Sequence, residues 1–262
     1  MSRTTPSESL GRACEVRELA PAITRAVRLE ICRAIGLEGT IPVSRIVELL
    51  DLEQPLISKH LRKLRLARIV VCERPGRRCL CRLSARCRMD RRDGLLRFTL
   101  RSPAGHAIRV SGPDVSSTAP EWFESVTRLA CAVLCSPSRT KVFLCVAMNP
   151  RSCVGSIARL IDQSLALASH HVSRLRHAGL VDIRERRSEH VVSLSAACEL
   201  SGSPDAIHVR FCCEDESSLA MAVRIGPAHT IGRGEPQAAA RSHCESAPQK
   251  PTPDVRWFTR DA

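Results

Sequence analysis

The chain matches itself. Slid by 111 residues, it aligns without a gap. Ser58, His60, Leu64, Arg65 and Ala67 recur as Ser169, His171, Leu175, Arg176 and Ala178. Upstream, Arg28, Val43, Ile46, Leu49 and Asp51 recur as Arg139, Val154, Ile157, Leu160 and Asp162. Downstream, Val70, Leu83 and Ser84 recur as Val181, Leu194 and Ser195, and most positions between keep their apolar character. Two copies of one module follow, so whatever local structure one copy adopts, the other must adopt too. The match continues more weakly through Leu95–Leu100 and His106–Val110, and at the same offset through Ala206–Phe211 and Leu219–Ile225. Each copy is therefore expected to end in an extra β-hairpin. This divides the chain into module one (12–110), a linker (111–120), module two (121–228) and a tail (229–262). The tail's Gly, Pro, Ala and Gln content predicts disorder.

Within the first copy, Val27, Ile31, Ala34 and Ile35 make a helical stripe, and Val43, Ile46, Val47 and Leu50 a second, short helix. Asp51-Leu52-Glu53-Gln54 breaks it, and Pro55 suits the first turn of a third helix, expected over Pro55–Ala67. That helix would bury Leu56 or Ile57, Leu61 and Leu64 and leave Ser58, Lys59, Arg62, Lys63 and Arg65 largely outside. Two β-prone runs, Ile69–Glu73 and Cys79–Leu83, then flank Arg74-Pro75-Gly76-Arg77-Arg78, a hairpin with a basic tip. The second copy keeps this order, with Ser164 as the cap of a helix over Leu165–His177. The fold class this predicts is α+β, mainly helical, with two winged helix-turn-helix modules in tandem.

Charge points to the partner. Lys plus Arg number 40 against 27 Asp plus Glu, a net charge of +13, and between Arg45 and Arg92 there are 14 basic and five acidic residues. A positive field focused on one helix and hairpin fits double-stranded DNA. On that reading Gln54, Ser58, Lys59, His60 and Arg62 meet base edges, because Arg and Lys suit guanine and Gln suits adenine. Lys63 and Arg65 would hold phosphates, and Arg74, Arg77 and Arg78 would reach the backbone or minor groove. Copy two offers Ser169, His170, His171, Arg174, Arg176, Arg186 and Arg187, diluted by Asp182, Glu185 and Glu189, so it is expected to bind more weakly or to serve in pairing.

The run Gln54-Pro55-Leu56-Ile57-Ser58-Lys59-His60-Leu61-Arg62-Lys63-Leu64 resembles the recognition helix of ArsR-type transcriptional regulators. Arg74-Pro75-Gly76-Arg77-Arg78 resembles that family's wing, and His177-Ala178-Gly179-Leu180-Val181 its junction between helix and wing. The resemblance covers about residues 20–84 and 131–195, half of the chain. It implies a DNA-binding transcriptional regulator in which the fused copies form an intramolecular pseudo-dimer, with a homodimer as a further option. The alternative function is a protein-interaction module of a chromosome-associated complex. Exposure of the helix at 55–67 together with its hairpin separates the two readings.

No enzyme motif is present: neither a nucleophile elbow, a phosphate loop, His-Glu-x-x-His nor paired Cys-x-x-Cys. The family's metal-sensing cysteine pair is absent too, since Arg151-Ser152-Cys153-Val154-Gly155 keeps one Cys only. If Pro75-Gly76 forms a two-residue loop, Cys72 faces Cys79, with Cys81 and Cys87 close by. These thiols are expected to pack as small hydrophobes, with no metal and no cofactor. The chain shows no apolar run long enough to span a membrane and no apolar core at its N-terminus. A cytoplasmic protein with reduced cysteines is the expectation.

Overall fold

A computed structural model of the chain describes residues 10–11, 13–76, 78–114, 120–186, 189–203 and 206–225. The expected tail therefore lies outside the described residues, as do Arg77, Arg187 and the linker positions 115–119.

A 3-10 segment, Cys14–Leu19, leads into α1 (Ala20–Ile23) and α2 (Ala26–Glu38). A two-residue strand β1 (Ile41–Pro42), α3 (Val43–Leu50) and α4 (Gln54–Leu66) follow. Strands β2 (Val70–Glu73) and β3 (Leu80–Leu83) close a small antiparallel sheet in the order β1-β3-β2. Three longer strands come next: β4 (Cys87–Arg92), β5 (Leu95–Arg101) and β6 (Ala107–Pro113).

The second half repeats the series. It runs α5 (Trp122–Leu134), α6 (Pro137–Met148), β7 (Ser152–Cys153), α7 (Val154–Leu160), α8 (Leu165–His177), β8 (Val181–Arg186), β9 (Glu189–Leu194), β10 (Cys198–Ser203), β11 (Ala206–Cys212) and β12 (Ser218–Arg224). Helices α4 and α8 begin and end 111 residues apart, as do β1 and β7, β4 and β10, β5 and β11, and β6 and β12.

Local chemistry explains the boundaries. Both turns into the basic helices pass through an Asp in the left-handed region, Asp51 (φ 49) and Asp162 (φ 54). Asp is among the few residues that tolerate this conformation at small cost. Pro55 lies in the first turn of α4, and Ser164 caps α8, its side chain accepting from the Leu167 amide at 3.3 Å. After each helix the chain again takes a positive φ, at Arg68 (56) and at its counterpart Gly179 (71).

The expected fold class requires correction. The chain is not mainly helical and is not two winged helix-turn-helix modules in tandem with optional terminal hairpins. Strands β4–β6 and β10–β12 form one six-stranded antiparallel sheet, ordered β10-β11-β12-β6-β5-β4, shared between the two halves. Its seam is the pair β12–β6, in register Ser218↔Ser111 through Ala222↔Ala107. Arg109 pairs with Ala220, its own counterpart in the repeat, and the register is symmetric about that pair. The seam is thus self-complementary, as in a two-fold contact between identical subunits. The physical reason is burial: β12 is buried along Ser218–Val223 and β6 over most of its length. A strand so apolar needs neighbours on both sides and both faces, and a lone terminal hairpin supplies neither. Residues 111–113, expected as linker, belong to β6.

One continuous core results. Phe98 on β5 meets Phe123 on α5 edge-on (6.1 Å between centroids), and Phe143 on α6 meets Phe211 on β11 (5.5 Å). All four described phenylalanines thus tie the central helices to the sheet. The seam is held by Ser111 and Ser218, whose hydroxyls are 2.9 Å apart. Helix to helix, Arg17 Nε donates to the Leu134 carbonyl (3.0 Å) and the Cys131 thiol to the Thr24 carbonyl (3.3 Å). Among the described residues no single helix is long and apolar enough to cross a membrane.

Candidate nucleic-acid interface

Helix α4 separates its residues by chemistry. Ile57, Leu61 and Leu64 are buried, at i, i+4 and i+7, and fix one face against the core. Gln54, Ser58, Lys59, Arg62, Lys63 and Arg65 are all exposed. The helix carries no acidic residue, and none of its four Lys and Arg side chains pairs with a carboxylate among the described residues. The exposed face is therefore an uncompensated row of cations.

His60 differs from the others. It is half-buried, and its imidazole pKa is lowered by burial first and then by the nearby Arg28, Lys59 and Arg25. It lines a cleft of about 680 Å³ between α4, the α1–α2 junction and α5, with Arg25, Arg28, Lys59 and Lys63 on its wall and Glu124 opposite in charge. Arg25 and Arg28 escaped the sequence reading. Their only signal was the recurrence of Arg28 as Arg139. Arg28 and Arg139 each anchor a preceding helix: Arg28 donates to Thr24 Oγ1 (3.3 Å) and to the Pro21 carbonyl, Arg139 to the Cys131 carbonyl (2.9 Å).

The basic tip of the first hairpin is exposed at Arg74 and Arg78. The expected two-residue Pro75-Gly76 loop is not formed. Cys72 pairs with Cys81 and Glu73 with Leu80, so residues 74–79 make a six-residue connection. Arg82 and Glu73 form an exposed ion pair at 3.3 Å lower on the hairpin.

On α8, Ser169, His170, Arg174 and Arg176 are exposed and His171 is half-buried. The imidazoles of His170 and His171 lie edge to face at 5.6 Å, and burial, with His170 and Arg139, lowers the His171 pKa. Ala168, Val172 and Leu175 are the inward face. Asp182 and Glu185 on β8, the strand that follows α8, are exposed. Of the residues expected in the second site, Arg187 lies outside the described residues and Arg186 is described only as the last residue of β8.

No model of a protein family matches the chain, and no curated protein matches it.

Proposed function

We propose that the chain is a cytoplasmic DNA-binding regulator of transcription that reads double-stranded DNA in the major groove with α4 and more weakly with α8. The observation that carries this reading is the exposed, carboxylate-free face of α4, flanked by the exposed arginines of the adjacent hairpin. Had α4 been covered by another element, protein docking would have been the better reading. The resemblance of residues 54–64 to ArsR-type regulators supports the same function. Lys59 and Arg62 are the candidates for guanine O6 and N7, and Gln54 for adenine. Lys63, Arg65, Arg74 and Arg78 would neutralise phosphates, contacts that position the protein without specifying sequence.

The test is unbiased selection of binding sites from a random duplex pool by the purified full-length chain. Enrichment of a defined motif, lost on Arg62→Ala, is the expected result. A pool that stays unenriched refutes sequence-specific binding.

A further inference from the structure

Thirteen cysteines are described with free thiols, and most are scattered. Three converge. Cys72 on β2, Cys79 in the connection just before β3 and Cys81 on β3 place their sulfurs within 4.8 Å of one another. Among the described residues no other group of three or more His, Cys, Asp or Glu does so. The convergence follows from the corrected register. Cys72 and Cys81 are directly opposed across β2–β3, with sulfurs 3.1 Å apart, and the six-residue connection returns Cys79 to the same spot. Cys87, grouped with them by sequence, instead lies on β4 against buried Cys32.

We propose that Cys72, Cys79 and Cys81 form a binding site for a thiophilic divalent cation of the Zn²⁺ class. Ligand type comes first. Three sulfurs with no oxygen donor select soft or borderline ions over Mg²⁺ and Ca²⁺. Geometry agrees. With Zn–S bonds of about 2.3 Å, tetrahedral sulfurs stand about 3.8 Å apart, so the observed spread needs only small side-chain rotations. Burial fits as well. Cys81 is wholly buried, while Cys72 and Cys79 are half-buried, leaving one side open for a fourth ligand such as water.

Charge is the fourth argument. Three thiolates around a divalent ion carry a net charge of −1, and Arg65 and Arg74 lie beside Cys72 to balance it. Binding releases the thiol protons to solvent as three S–metal bonds form, with no change of oxidation state. The site joins β2, the connection and β3, so a bound ion would fix the stretch that carries Arg74 and Arg78. This inference does not depend on DNA binding.

The experiment uses the full-length chain, reduced and metal-free, titrated with Zn²⁺ against a chromophoric chelator and with Cd²⁺ for thiolate charge-transfer absorbance. One tight equivalent per chain is expected, with a Cd²⁺ band of three-thiolate intensity. Cys79 lies outside the strands and is half-buried, so Cys79→Ser should keep its far-UV circular dichroism yet lose at least about tenfold in affinity, as even outer-shell changes do. Cys212→Ser, at an exposed thiol elsewhere, should bind like the parent. The site is refuted by no tight equivalent, by equal affinity in Cys79→Ser, or by an equal loss in Cys212→Ser. Should Cys79→Ser fail to fold, the Cd²⁺ band of the parent decides, and an intensity below two thiolates refutes the site.

Discussion

Salt dependence gives the most direct reading of the α4 face. Six exposed cations on this helix and its hairpin pair with no carboxylate among the described residues: Lys59, Arg62, Lys63, Arg65, Arg74 and Arg78. If each neutralises one phosphate, log K should fall against log salt with a slope of about −5.4, a loss of about three decades between 50 and 200 mM. The double change Arg62→Ala with Arg65→Ala removes two of the six and should bring the slope to about −3.6. It should also cost about 1–3 kcal/mol at fixed salt if Arg62 meets a base edge. Both side chains point away from buried Ile57, Leu61 and Leu64, so the fold should survive, with unchanged far-UV circular dichroism. The matching pair Arg174→Ala with Arg176→Ala should cost less, because the strand after α8 exposes the acids Asp182 and Glu185, which weaken the positive field of the second copy. Fluorescence anisotropy of a labelled duplex over a salt series measures all three proteins. A flat slope in the parent, or a greater loss from the α8 pair, refutes the assignment of DNA contact to α4.

Three further changes probe the frame behind that face. A Cβ at Gly112 would stand 2.4 Å from Trp122 Cδ2, and the indole is pinned by a 3.0 Å bond from Nε1 to the Pro113 carbonyl and by edge contact with Phe123. Gly112→Ala should therefore destabilise by about 2–4 kcal/mol, the sum of overpacking, a strained hydrogen bond and a lost aromatic contact, read as a lower melting temperature. Ile57→Ala empties a fully buried position under α4 and should cost about 2–5 kcal/mol in denaturant unfolding, more than Ser58→Ala next to it. His60, with a folded pKa below its ordinary value, binds fewer protons folded than unfolded, so stability should fall as pH drops below about 6.5 and level off beneath the folded pKa. His60→Gln should flatten that part of the stability–pH curve, and an unchanged curve would show that His60 is not desolvated.

The repeat and the helix ends were legible in sequence because each has a local cause: the Asp turns, Pro55 and the Ser164 cap act within a few residues. What escaped depends on partners far along the chain. Strands β4 and β10 are the outermost of the sheet, and Cys87-Arg-Met-Asp-Arg-Arg, with exposed Arg88, Arg91 and Arg92, lacks an apolar strand pattern because one edge and one face of it meet solvent. The hairpin register failed for the converse reason. Pro75-Gly76 is a strong turn signal, yet Val43 donates its amide to the Cys79 carbonyl and β1 pairs with β3, so a contact from outside the hairpin fixes where β3 begins. Arg25 and Arg28 could be placed beside α4 only once the packing of the α1–α2 junction was known.

The seam was present in sequence as the apolar run Leu219–Val223, but a run of that kind does not name its neighbour. The structure supplies it: β12 pairs with β6 about Arg109 and its counterpart Ala220. That pairing bears on the proposed function. A self-complementary seam sets α4 and α8 on a common two-fold frame, as in a symmetric dimer that meets two half-sites. Fusion frees the two halves to diverge, and they have done so in charge. The charges on α4 are all positive, while α8 carries two arginines with His170 and His171 and is followed by β8 with exposed Asp182 and Glu185. A target of this chain should therefore hold two half-sites at one spacing but of unequal information content, with sequence preference concentrated under α4 and mainly backbone contact under α8. A selected motif with two equally defined halves would show that charge is the wrong guide to which copy reads sequence.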